Sequence, residues 1–330
     1  MWGWGWKWSS AGHGLRHIEP ITLDDVRAAH KRIASTVHRT PLIRLEVDGP
    51  ATIYLKLENL QPIGSFKLRG ATNAIRSTRP GSLGDGVYTA SAGNMAQGVA
   101  WGARDLGVPC TVVMPDSAPS TKVNAVKRLG ATIVPLPYDD WWQTLRDHGR
   151  AGMAGRFIHP VADRDVMAGN GTIGLEIVED LPDVDTVLVP FGGGGLVSGI
   201  ATAVRALQPN ARVYGCEIET STPLTAALTA GHPVVVERTP SFVDGIGGRG
   251  VLEEMWPIVS DLVSGALVAT LAETKAAIRL MAERARVIAE GAGAVPVAAA
   301  LAGRAGSRTI VCVVSGGNID TQTLVEILTG

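Results

Sequence analysis

Cysteine is scarce: three residues in 330, Cys110, Cys216 and Cys312, lie far apart with no CxxC pair and no neighbouring histidine cluster. That spacing excludes a disulfide framework and a cysteine zinc site, and it fits thiols kept reduced in the core of a cytoplasmic protein. An excess of either charge is also missing, since 30 basic residues face 31 acidic ones. Without a global positive field, neither nucleic acid nor an anionic membrane is an expected partner. No apolar run reaches the roughly 18 residues that a membrane helix needs. Lysine is sparse as well, 7 against 23 arginines, so each one is easily weighed.

The opening MWGWGWKWSS carries Trp2, Trp4, Trp6 and Trp8 but lacks the basic start and continuous apolar stretch of a signal peptide. Residues 1–20 are read as a flexible tail without a part in chemistry. The remainder is suited to a globular core, with 45% hydrophobic and 18% charged residues across the chain, and its length allows one or two domains.

From about residue 85, short β-branched runs alternate with longer helical ones, which predicts βα units and a parallel sheet. GVYTAS leads into NMAQGVAWGARDLG and CTVVMP into STKVNAVKRLG. ATIVPL precedes DDWWQTLRDHGRAG, with Asp139 or Asp140 as the expected N-cap. DTVLVP precedes LVSGIATAVRAL, and RVYGCE precedes STPLTAALTAG. A helical pair, LAETKAAIRLMAERARVIAEGAG and AVPVAAALAG, then leads to the strand RTIVCVVS. Parallel sheets place working loops at the carboxyl ends of their strands. Four such ends are small, polar or glycine-rich: SAGN at 91–94, HPVADRD at 159–165, FGGGG at 191–195 and SGGN at 315–318.

Four successive glycines between a strand and a helix let backbone N–H groups converge on an anion, with the helix dipole in support. Taken alone, such a run is equally a tight packing turn. A P-loop is excluded because Leu196 and Val197, not Lys and Ser, follow Gly195. The dinucleotide pattern is nearly met by Gly193, Gly195 and Ser198, with Glu217 where a ribose-binding acid would stand, so a nicotinamide-dependent oxidoreductase stays open. Lys67, in PIGSFKLRGA, adds a different chemistry. An amine in apolar surroundings loses basicity and becomes a nucleophile toward a carbonyl, which suits an aldehyde cofactor. On its own, it is equally a surface lysine on the helix after a turn.

GSFKLRGA, TASAGNMAQGVA, VPFGGGGLVSGI and VVSGGN, in that order, resemble the fold-type II pyridoxal-phosphate enzymes, above all the serine/threonine dehydratases (threonine ammonia-lyases) and serine racemases. The likeness runs from about Ile21 to the C-terminus. It implies an α/β, tryptophan-synthase-β-like fold of two open twisted domains, the small one at 86–162 and the large one from 21–85 and 163–330, with the cofactor in the cleft between them. It implies that Lys67 carries the cofactor as a Schiff base with Phe66 beside the ring, and that Asn94 meets the phenolic oxygen. Gly192, Gly193, Gly194 and Gly195, with Leu196, hold the phosphate, and Ser315 faces the pyridine nitrogen. Ser91 and the loop 91–95 take the substrate carboxylate, while Gly245 and Glu290 match further positions close to the ring. The expected reaction is β-elimination from a β-hydroxy-L-amino acid such as threonine or serine, giving a 2-oxo acid and ammonia, in a cytoplasmic homodimer.

Several positions depart from the family pattern. Met95 replaces the usual histidine of SAGNHAQG, and Val161 stands where serine racemases carry an asparagine. Together they raise a bulkier substrate such as phenylserine as an alternative, with Met95 as a packing residue the competing explanation. Ala92 replaces the serine that serves the opposite face in racemases, which favours elimination over racemisation. The racemases' cation site would map to Glu217, Ser221 and Pro223, and proline offers no side-chain ligand; Glu217 with Glu219 or carbonyl oxygens is what would remain. The chain stops 12 residues after Asn318, so the C-terminal regulatory domain of biosynthetic threonine dehydratases is not expected.

Overall fold

The computed structural model describes residues 16–330, apart from Pro80 and Ser307. The tryptophan-rich stretch read as a tail lies outside the described residues. Two sheets account for the strands. The chain lays down β1 (Leu42–Arg44) and β2 (Thr52–Leu57), then β3 (Val87–Ala90), β4 (Cys110–Pro115), β5 (Thr132–Leu136) and β6 (Arg156–Phe157). It continues with β7 (Thr186–Pro190), β8 (Arg212–Ile218), β9 (Gly265–Ala269) and β10 (Thr309–Val314). The larger sheet has the order β1-β2-β10-β7-β8-β9 and the smaller one β5-β4-β3-β6. Every pairing is parallel except that of β1 with β2. The result is the mixed α/β, tryptophan-synthase-β-like architecture.

Helices α1 (Leu23–Ile33), α2 (Lys67–Ser77), α3 (Asn94–Leu106), α4 (Ser120–Arg128), α5 (Tyr138–Arg146) and α6 (Arg164–Asp180) are followed by α7 (Gly195–Leu207), α8 (Pro223–Ala230) and α9 (Trp256–Leu262). Then come α10 (Leu271–Leu280), α11 (Gly291–Leu301) and α12 (Thr321–Thr329). Reciprocal capping boxes, Thr22 with Asp25 and Thr270 with Glu273, start α1 and α10. The expected cap on α5 differs. The helix starts at Tyr138 after Pro137, and Asp139 and Asp140 lie in its first turn, where carboxylates favour the positive end of the dipole. The expected helix from Leu271 also stops early. A π turn covers Met281–Ala285, Arg286 takes a left-handed φ of 60°, and Glu290 becomes the N-cap of α11.

Helix α6 is buried without a break from Val166 to Val178, so it shows no polar stripe by which its period could be read. It packs against both α2 and α7 at backbone distance. A Cβ on Gly169 would fall 2.5 Å from the Arg69 carbonyl oxygen, and one on Gly199 would fall 2.3 Å from that of Met167. Only glycine permits this approach, and it puts the helix of Lys67 and the helix behind the glycine run on either side of α6.

Burial singles out Lys56 rather than Lys67 as the most enclosed lysine, with a side-chain exposure of 0%. Its Nζ donates to Glu176 Oε2 (2.6 Å) and to the Thr40 carbonyl oxygen (2.7 Å). Arg69 on α2 donates to both oxygens of Glu58 (2.8 and 2.8 Å) and of Glu176 (2.6 and 2.9 Å). Burial alone would push the Glu58 carboxyl up, but Arg69, Thr40 and Lys56 hold it below the ordinary carboxylate value. Two cations and two anions thus tie β2, the turn after it, α2 and α6 together. Arg69→Met removes one cation, which leaves the buried Glu58 without an ion-pair partner and Glu176 with Lys56 alone. A loss of about 3–5 kcal/mol is expected by urea unfolding, whereas a loss below about 1 kcal/mol, the worth of an exposed pair, would show that the network does not hold α2.

Candidate active site

Lys67 opens α2, and the turn before it is sewn to the loop that leaves β10. Phe66 N–H donates to the Ser315 carbonyl oxygen and Gly317 N–H to that of Gly64, both at 2.9 Å, with a Ser65–Gly316 bridge between them. Gly64 has φ +71°, and a Cβ there would lie 2.7 Å from Asn318 Oδ1, so glycine is required on both counts. This pairing brings Phe66, Lys67 and Ser315 to one place at the carboxyl end of the larger sheet. The Lys67 Nζ donates to the Pro160 carbonyl oxygen at 2.8 Å and stands 5.0 Å from the Phe66 ring centre. Burial lowers its pKa to about 8, with the negative field of Glu290 opposing. Ser315 is buried at 2% exposure.

Asn94, the first residue of α3, reaches across from the smaller sheet. Its Nδ2 donates to both Glu290 oxygens (3.0 and 3.2 Å), and its Oδ1 accepts from Asn318 Nδ2 at 2.8 Å. Both ends of the amide are therefore assigned. Glu290 is itself anchored by its backbone N–H, which donates to the Gly316 carbonyl oxygen at 2.9 Å. Burial pushes its carboxyl up to about 7, against the bonds from Asn94 and with help from the nearby Asp244 charge. Ser91 Oγ accepts from Gly93 N–H at 3.2 Å and shapes the loop before α3.

The glycine run ends β7 and leads into α7, whose N-terminus has no side-chain cap. Gly194 has φ +99°, and a Cβ on Gly193 or Gly195 would lie 2.6 or 2.7 Å from atoms of Val161. Packing therefore explains two of the four glycines. Gly192 is different, because the nearest atom to its Cβ would be the Gly245 carbonyl oxygen at 3.6 Å. Gly245 in turn lies against Glu290, with its own would-be Cβ 3.3 Å from Oε1. The Leu196 side chain is in the core at 7% exposure, which leaves its backbone to meet a ligand.

Two expectations fare differently. Glu217, at the end of β8, accepts from Leu224 N–H (2.6 Å), Thr225 N–H (2.9 Å) and Thr225 Oγ1 (2.7 Å), so both oxygens cap α8. Glu219 likewise accepts from Leu271 N–H at 2.6 Å, at the start of α10. Among the described residues, Glu217 joins no cluster of three ligating side chains. Met95 is 2% exposed in the core of the smaller sheet with Val99, Val112 and Met114. It is a packing methionine, and Val161 backs the glycine run, so neither supports a greasier substrate pocket. Sequence reasoning missed the Pro160 carbonyl and the roles of His159 and Asn318, although HPVADRD and SGGN contain these residues. It also missed the Lys122–Asp244 ion pair at 2.6 Å, which joins α4 to the loop beside Gly245 and has no local signal.

The chain belongs to the family described as "Pyridoxal-phosphate dependent enzyme", whose model matches residues 33–316. Within it, the chain is 41% identical over 315 residues to an L-threonine ammonia-lyase of Thermotoga maritima, covering 93% of this chain and 78% of that protein. It is 43% identical over 320 residues to an L-threonine ammonia-lyase of Geobacter sulfurreducens, covering 94% and 78%. Among solved structures, a maize serine racemase superposes with a TM-score of 0.85 at 32% identity, covering 93% of this chain and 97% of that one.

The residues present fit that cofactor. An amine with lowered pKa suits an aldehyde, and the uncapped start of α7 behind a glycine run suits a phosphate. Pro160 and Val161 are successive residues, so one turn touches both the amine and the glycine run.

The raised Glu290 pKa has a measurable sign. Between the ordinary value of 4.5 and about 7, folded protein keeps a proton that the unfolded chain has released. Stability therefore falls as pH rises through that window. In thermal melts of cofactor-stripped protein, Glu290→Gln should remove this fall, and a slope equal to wild type would place the titration elsewhere.

Proposed function

We propose that this protein deaminates a β-hydroxy-L-amino acid, threonine or serine before bulkier ones, to a 2-oxo acid and ammonia. The observation that carries the proposal is the Lys67 amine, lowered in pKa to about 8 and held beside the glycine run by the 160–161 turn. The likeness to L-threonine ammonia-lyases supplies the substrate class.

Bound pyridoxal phosphate supplies an aldehyde for the substrate's amino group and a ring that acidifies its Cα–H. Lys67, freed as a neutral amine, removes the Cα proton. The Gly192–Gly195 run and the Leu196 N–H would hold the phosphate. Ser91 and the amides that open α3 orient the substrate carboxylate. Asn94, clamped between Glu290 and Asn318, would exchange one of its Nδ2 bonds to Glu290 for the ring oxygen, and Gly245 would line the ring with its backbone. Ser315 would offer the ring nitrogen a hydroxyl rather than a carboxylate, which would not enforce a full positive charge and would suit prompt elimination. Loss of the Cα proton and the β-hydroxide, then uptake of water and release of ammonia, balances the reaction. Racemisation is the second reading, favoured by the serine racemase likeness, but Ala92 provides no hydroxyl for the opposite face.

The proposal includes a small domain of 86–162 and a large one of 21–85 and 163–330, consistent with the membership of β3–β6 in one sheet. It also includes a homodimer and a cytoplasmic location, the location being in keeping with three free, buried cysteines; no described helix is long and apolar enough to cross a membrane. Incubation with L-threonine, L-serine, phenylserine and 3-hydroxyaspartate should release 2-oxo acid, fastest from threonine or serine. Lys67→Ala should lose the yellow colour and roughly 10³-fold in rate. Product from none of the four amino acids would sink the assignment.

A further inference from the structure

We propose that His159 is a positioning residue whose imidazole shapes the turn that holds both the Lys67 amine and the glycine run. The proposal rests on the reading of Lys67 as the cofactor lysine. His159 is buried at 4% exposure, at the carboxyl end of the smaller sheet. Its Nδ1 accepts two backbone N–H groups, from Val161 at 3.1 Å and Ala162 at 2.6 Å. These donors belong to the turn that leads into α6, and without Nδ1 the Ala162 N–H would be buried unpaired and the Val161 N–H left unpaired in a half-buried position. An atom that accepts twice carries no proton, so the ring's proton is on Nε2. Burial first, then the charges of His148 and Lys67, push the pKa of His159 well below its ordinary value and keep it an acceptor.

What the turn touches gives the two bonds their consequence. Its Pro160 carbonyl receives the Lys67 Nζ at 2.8 Å, and its Val161 side chain lies under Gly193. A shift of this turn therefore displaces the amine and the phosphate-side backbone together.

The imidazole is held in turn. His148 stacks on it with ring centres 4.4 Å apart and planes 23° apart, in a left-handed conformation of φ 54° that costs backbone energy. The carboxylate of Glu254, just before α9, fixes the His148 Nε2 at 2.8 and 2.9 Å. These three side chains form a trio within ligating reach of one another. Stacked rings aim their lone pairs along nearly parallel planes, and the His159 Nδ1 is already taken, so the trio is a supporting column rather than a metal site.

Two variants separate the acceptor atom from the bulk of the ring. His159→Asn replaces Nδ1 with an amide oxygen, and His159→Leu keeps the volume without an acceptor. Each is purified as holoenzyme, then stripped and titrated with pyridoxal phosphate, and the pH midpoint of the cofactor absorbance is recorded. His159→Leu should weaken cofactor affinity by about tenfold or more, as two stranded amide donors imply, and should move the pH midpoint. His159→Asn should stay within about threefold of wild type, an interval set by an acceptor retained in altered geometry. Wild-type affinity and midpoint in His159→Leu would overturn the proposal, as would an Asn variant as impaired as the Leu variant. If His159→Leu does not fold by circular dichroism, the Asn variant decides alone: retained affinity supports the proposal and lost affinity overturns it. A Lys67→Ala protein that keeps the cofactor absorbance overturns the lysine reading and this proposal together, which distinguishes that failure from one confined to His159.

Discussion

Arg69 and Lys56 face Glu58 and Glu176 in a region closed to water, and every one of their carboxylate oxygens has a charged or hydroxyl partner. Ions buried in this way stabilise little against an apolar core of the same shape, but they tolerate few alternative arrangements, because any displacement leaves a charge unpaired. We take geometric specification of α2 to be their contribution here. Arg69 is two residues from Lys67 on the same helix, so the clamp acts within one turn of the amine. Close glycine contacts through α6 extend the same frame to α7 and the glycine run behind it.

On this frame, groups from both sheets converge. The backbone pairing of 64–66 with 315–317 joins the lysine turn to the end of β10. Asn94 crosses from the end of β3 to Glu290 and Asn318. The site thus combines an amine lowered to about 8 with a carboxyl raised to about 7, each shifted toward neutrality chiefly by burial. An amine in that range gives up its proton near neutral pH, as a base for Cα requires, while Glu290 holds Asn94 in place.

Much of this was legible in the chain because the motifs are local. GSFKLRGA, SAGN, FGGGG and SGGN each lie at a strand end or helix start, and β-alternation placed those ends together. What was not legible depends on partners far apart in sequence. Lys56 and Arg69 meet Glu176 across 120 and 107 positions, and neither periodicity nor composition pairs such residues. Helix α6 shows no period because it is buried on all sides, its few polar groups included, and of the two readings open for Met95 the packing one holds because its side chain turns into the core. Glu217 shows the same ambiguity: an acid at a strand end is as well placed to cap the next helix, as it does here, as to bind a ligand.

The central claim is that Lys67, among seven lysines, bears the cofactor. Borohydride reduction of the purified protein followed by peptide mass analysis tests it most directly. The prediction is a single pyridoxyl-phosphate adduct on the peptide containing Lys67, with Lys56 and the other lysines unmodified. An adduct on a different lysine, or none on a protein that carries the yellow colour, would contradict it.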